Sequence, residues 1–220
     1  MMLTFRVLSA LLSYPSPDIR TAAGEGAHIL CEEKLLSDAA VAEVCGFVAW
    51  LLGSAQLDAE AAYVEAFDRG RSTSLHLFEH IHGESRERGE AMLKLLLRYR
   101  AHGLEMQAGE LPDYLPLFLE FLSTRPPVEA RKHLAEVADI IALIGRRLRA
   151  RGSPHAPLLS AVASLAEGRL PDALENQSAE ERDDTPAALD AAWEEAPVTF
   201  NDAAPPADPV PRVTRQTVQP

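Results

Sequence analysis

Apolar residues along most of this chain recur in steps of three and four, the spacing of helices with one buried face. Leu3, Val7, Leu8, Leu11 and Leu12 form the first stripe. Val41, Val44, Cys45, Val48, Leu51 and Leu52 form another, opened by Ser37 or Asp38 as N-cap and closed by Gly53. Asp58 opens a helix that turns Ala59, Ala62, Tyr63, Ala66 and Phe67 inward and stops before Gly70. A long helix is expected from Glu84 to Ala101, with Met92, Leu95, Leu96 and Tyr99 inward and Gly103 as terminator. Pro126-Pro127 starts a further one, whose stripe is Leu134, Val137, Ile141, Ile144 and Leu148. Arg146, Arg147, Arg149 and Arg151 crowd its last turns, where cations suit the helix dipole. Pro154 to Gly168 reads as a last short helix. No sustained period-two run is present, so the fold class is all-α, a single compact helical bundle.

Composition changes this picture only at the C-terminal end. The last 50 residues hold eleven acids against three bases and eight of the 16 prolines. Such a segment cannot bury enough apolar surface to offset its ordering entropy. The chain therefore divides into a helical domain over 1–170 and an acidic Pro/Ala-rich tail over 171–220, disordered apart from a short helix at Ala187 to Trp193. A net charge of −12 has the wrong sign for a nucleic-acid partner and suits a basic peptide. Cys31 and Cys45 make no disulfide framework and read as small buried hydrophobes in a reducing cytosol. No window reaches the 18 apolar residues of a membrane span. The amphipathic first stripe, with no small-x-small site after Tyr14-Pro15, argues against a signal peptide and for a cytoplasmic chain.

Candidate chemistry concentrates between Tyr63 and Ser123, which hold four of the seven histidines. His76-Leu77-Phe78-Glu79-His80 is an H-x-x-E-H. On a helix it would set His76 and His80 on one face with Glu79 beside them as a base, the arrangement of the inverted zinc peptidases. A zinc-dependent hydrolase is thus the enzyme alternative. Gly83 interrupts the segment and leaves little helix to hold the pair. No glycine-rich phosphate loop supports nucleotide hydrolysis. Pro112 and Asp113 are expected to start and cap the helix that follows them.

The same stretch, read whole, closely resembles the NarJ-type family of nitrate reductase molybdenum cofactor assembly chaperones, also called the delta subunit. The resemblance rests on Phe67-Asp68-Arg69-Gly70-Arg71, Ser74 to His80, His82-Gly83-Glu84-Ser85-Arg86, Arg88-Gly89 with Ala91-Met92, and Tyr99 with Gly103-Leu104. Glu110-Leu111-Pro112-Asp113-Tyr114-Leu115-Pro116 and Leu119 to Ser123 complete it, and Leu11-Leu12-Ser13-Tyr14-Pro15 looks like the family's opening. It covers about residues 1–170 and leaves the tail unmatched.

That resemblance implies an all-helical chaperone of the molybdoenzyme type, with no catalytic residues, no metal and no cofactor of its own. It implies binding of the apo catalytic subunit of a respiratory nitrate reductase in the cytoplasm, notably at that subunit's N-terminal segment. The client would be held ready for molybdenum cofactor insertion, and its docking to the membrane anchor delayed. Molybdenum cofactor biosynthesis proteins are implied as further partners. A helical peptide needs an apolar floor and a few polar clamps. Leu115, Phe118, Leu119 and Leu122 are candidates for the floor, and Asp113, Glu79 and Glu84 for meeting a basic peptide end. Asp68, Arg71, His76, Phe78, His80, Arg86 and Tyr114 complete the cargo-binding candidates.

Overall fold

The computed structural model describes residues 2–82, 85–106 and 109–166, together with Asp183, Thr185 and Asp190. Among these residues there are ten α-helices and no β-strand. They are α1 (Leu3–Leu11), α2 (Pro17–Glu33), α3 (Asp38–Gly53), α4 (Gln56–Phe67), α5 (Leu77–His82), α6 (Arg86–Ala101), α7 (Leu115–Ser123), α8 (Pro127–Ala135), α9 (Ala138–Ala150) and α10 (Ala156–Ser164). A single 3-10 turn, Arg71–Thr73, lies between α4 and α5.

α7 is buried along most of its length, through Leu115, Pro116, Phe118, Leu119, Phe121, Leu122 and Ser123. α1 lies along this helix, sinking Phe5, Leu8 and Leu11 into the core. From α1 the chain packs through α2 to α3, and α10 fills the space between α3 and α9. The α9–α10 crossing is close: a Cβ on Gly145 would stand 3.1 Å from Leu159 Cβ. The amides at the start of α1 are closed by a residue from the far end of α2. Both Glu33 carboxylate oxygens accept there, from Leu3 N at 3.0 Å and from Thr4 N. An anion at that end also suits the dipole of α1.

Local signals located α3 well. Ser37 caps it, its Oγ accepting from Ala40 N at 3.2 Å, and the helix ends at Gly53. α4 begins two residues before Asp58, without a side-chain cap, and α6 begins at Arg86 rather than Glu84. The helix expected from Pro127 onward is two helices, because Val137 leaves helical geometry at φ −125°, ψ 3°. Its stripe survives the break, with Leu134, Val137, Ile141, Ile144 and Leu148 all buried. The stripe pattern does not announce α2, which buries only Ala23, Gly26 and Leu30. The cysteines correct the reading made of them: Cys31 is exposed and Cys45 only half-buried. The proposed helix at Ala187 to Trp193 lies outside the described residues apart from Asp190, as does most of the 171–220 tail.

Candidate functional site

The motif region is built around a crossing of two distant segments. After the 3-10 turn the chain bends at Leu75, and His76 pairs antiparallel with Tyr114. Leu115 N donates to Leu75 O at 2.9 Å and Leu77 N to Asp113 O at 3.0 Å. Tyr99 Oη pins the same turn by donating to Pro112 O at 2.9 Å. The carboxylate of Asp113, fully buried, then does for α5 what no neighbouring residue does. It accepts from Phe78 N at 3.2 Å, closing the first turn of that helix.

Its other neighbours are the His76 ring and the Arg88 guanidinium. His76 Nδ1 lies 3.4 Å from one carboxylate oxygen, and Arg88 Nη2 lies 3.5 Å from the other and 3.2 Å from Glu79. Burial pushes the Asp113 carboxyl up, but His76, Arg88 and the Phe78 amide outweigh it and hold it below the usual carboxylate range. Burial lowers His80, whose Nε2 sits 2.9 Å from Ser74 O. Asp113 therefore caps α5 rather than α7. At the start of α7 Tyr114 holds the N-cap position expected of Asp113, without a side-chain bond, and Pro116 rather than Pro112 stands in the first turn.

The structure brings His76, Phe78, Glu79, Asp113 and Tyr114 together and places His80 on the same short helix. Arg88 joins them; it was not among the candidates, although it stands within the quoted motif. Asp68, Arg71 and Arg86 are exposed, and Glu84 lies outside the described residues. Leu115, Phe118, Leu119 and Leu122 are core residues at 3% exposure or less, so as folded they offer no floor to a ligand. The zinc arrangement fails on backbone geometry. His76 precedes α5 in extended conformation, so it and His80 do not share a helix face. Among the described residues no three His, Cys, Asp or Glu side chains converge to hold a metal ion.

An apolar concavity does exist elsewhere, a groove of about 200 Å³ between α1 and α2. Val7, Ala10, Ile19, Ala22 and Ile29 line it, with Arg6 and Glu25 at its rim. Sequence reasoning missed it because it lies beside the weakly patterned α2.

Two further polar features were also missed. At the 3-10 turn, Ser72 is held by Arg147, whose Nη1 donates to its carbonyl at 2.9 Å, and by Arg151, whose Nη2 donates to its Oγ at 2.6 Å. Asp183 reaches this place, accepting from Ser72 N at 2.7 Å and from Arg151 at 3.2 Å. The other feature is His155, 2% exposed, with the rings of Phe47, Trp50, Tyr63 and Phe67 5.1 to 6.0 Å away. Burial drives its imidazole down to about 4.

Comparison with known proteins sets this geometry in context. A profile of the nitrate reductase delta subunit family matches residues 35–161. Over 201 residues the chain is 43% identical to the nitrate reductase molybdenum cofactor assembly chaperone NarJ of Escherichia coli, covering 90% of this chain and 85% of that protein. Over 152 residues it is 51% identical to the probable assembly chaperone NarW of the same organism, covering 68% of this chain and 66% of that one. A probable NarJ chaperone of Bacillus subtilis is 32% identical over 175 residues, 75% of this chain and 89% of that protein.

Proposed function

Because this chain belongs to the nitrate reductase delta subunit family, we propose that it is an assembly chaperone for nitrate reductase and not an enzyme. The observation that carries this reading is 43% identity across 90% of the chain to a molybdenum cofactor assembly chaperone. In this reading it binds the apo catalytic subunit in the cytoplasm, keeps it open to the molybdenum cofactor, and delays membrane docking until loading is complete. Among the described residues no helix is long and apolar enough to cross a membrane. Molybdenum cofactor biosynthesis proteins are the further partners that such a handover requires.

The N-terminal segment of the catalytic subunit is the part bound. An amphipathic helix seeks an apolar trough with charges at its edge. The groove between α1 and α2, rimmed by Arg6 and Glu25, has that form. The motif face supplies polar contacts through His76, Glu79, His80 and Tyr114 and an apolar one through Phe78, with Asp68, Arg71 and Arg86 as its charged candidates. Asp113 and the α7 leucines act from behind, by fixing the backbone of that face.

The test is complementation of cells lacking their own chaperone, scored by molybdenum per nitrate reductase catalytic subunit. The wild-type chain restores molybdenum content and co-purifies with the apo subunit. Failure of both sinks the reading. Ala22→Glu, at an exposed groove position, is expected to weaken peptide binding at least tenfold. Unchanged affinity would move the peptide from the groove to the motif face, where Phe78→Ala then becomes the sensitive substitution.

A further inference from the structure

The C-terminal half of α9 carries a requirement that the rest of the helix does not. Arg147 and Arg151 lie one turn apart on this helix and both reach back to the 3-10 turn, Arg147 to Ser72 O and Arg151 to Ser72 Oγ and Thr73 Oγ1. The Arg151 side chain is 12% exposed. Two guanidinium groups held this close, one of them largely out of water, repel each other and call for a shared anion. The anion present is the Asp183 carboxylate. It accepts from the Ser72 amide at 2.7 Å and from the Ser72 hydroxyl, and it pairs with Arg151 at 3.2 Å.

The space for it is left by Gly70, where a Cβ would come within 2.5 Å of Asp183 Oδ1. That backbone is extended, at φ −147°, a conformation open to any residue. Glycine therefore serves here as room for a ligand. Asp183 itself is one-third exposed, at the rim, and belongs to the acidic stretch that follows α10.

We propose that Gly70, Ser72, Thr73, Arg147 and Arg151 form a receptor for an acidic side chain, that Asp183 fills it in the resting chaperone, and that an acidic segment of the client displaces Asp183 on binding. The last clause rests on the function proposed above; the receptor does not. The chain carries a net −12, and this basic pocket is a place where a carboxylate on another chain still finds attraction. The tail is then a self-ligand whose departure opens one contact to the client.

Hydrogen exchange at the Ser72 amide in the full-length chain reads the receptor directly. Asp183→Ala is expected to speed that exchange about tenfold, and so is Gly70→Ala, whose methyl group takes the carboxylate's place. The double substitution Asp183→Ala and Asp184→Ala closes the route by which the next carboxylate could stand in. Exchange within twofold of wild type in the double variant would overturn residence of Asp183. A synthetic copy of residues 179–189, added at millimolar concentration to the double variant, should restore protection, whereas the copy with alanine in place of both aspartates should not. The acidic copy should also fail with Gly70→Ala. Equal protection from both copies, or from neither, would overturn the receptor for a foreign carboxylate. Affinity for the apo catalytic subunit tests the last clause: the double variant should bind at least threefold tighter than wild type, and equal affinity overturns displacement by the client. Wild type that does not bind at all would sink the proposed function, while the exchange experiments would still judge the receptor.

Discussion

Asp113 and Asp183 perform the same act at two places on one short segment. Each brings a carboxylate from far along the chain to an orphan amide at the start of a helical turn, Asp113 to Phe78 and Asp183 to Ser72. Each is held below its ordinary titration range against the opposing effect of burial, by His76 and Arg88 in one case and by Ser72 and Arg151 in the other. They differ in surroundings. Asp113 is sealed in, on a turn pinned by Tyr99 and anchored to α7. Asp183 is one-third exposed, at the rim of the protein. Burial and attachment, rather than the list of partners, separate a carboxylate that builds the fold from one that can be exchanged.

The largest effect is expected where that contrast is broken at its buried end. Asp113→Ala takes the acceptor from the Phe78 amide and the buried carboxylate from beside His76 and Arg88 at once. Losing one partner of a buried ion pair costs about 3–5 kcal/mol. Chemical denaturation should show that loss, together with faster hydrogen exchange throughout α5.

A pH scan sharpens the contrast with a third buried group that has no countercharge. The pKa of His155 is about 4 in the folded protein and about 6.5 when unfolded, so the unfolded chain binds more protons between those values. Stability is full above pH 6.5 and falls as pH drops through this window, by about 3 kcal/mol on reaching pH 4. His155→Phe should flatten that part of the curve. Asp113 acts below it: its stability is present above about 3.8 and is lost as pH falls further, so a decline there should persist in His155→Phe and vanish in Asp113→Ala.

The smallest effect is at the rim. Asp183→Ala removes a partly exposed pair worth about 0–1 kcal/mol. The melting temperature should shift by no more than a few degrees. A fall as large as that of Asp113→Ala would erase the distinction between the two carboxylates.

How far the sequence foretold the molecule follows the same division. Ser37, Gly53 and the stripes on α3, α6, α8 and α9 act over one or two turns, so a pattern along the chain contains them. The break at Val137 escaped because its stripe continues in phase across a one-residue departure of the backbone. His76 and His80 show the reverse error. A four-residue spacing implies a shared face only where the chain is helical, and His76 is not. The role of Asp113 depends on a partner 35 residues away, and that of Asp183 on one 111 away. Periodicity marks the α7 leucines as apolar but cannot tell the expected groove floor from the core in which they lie. Family resemblance supplied what periodicity lacked, the kind of client; its motifs drew attention to the segment from Tyr63 to Ser123 without saying which of its residues face outward.

Gly145 has a practical bearing on anyone who would redesign this protein. At 3.1 Å from Leu159 Cβ, an atom that stays with its backbone, even a methyl group must move one helix against the other by a few tenths of an ångström. The displaced helix would carry Arg147 and Arg151 with it. A mutagenesis library seeking altered client preference should therefore hold this position fixed, or treat it as a remote tuning screw for guanidinium groups that it never touches.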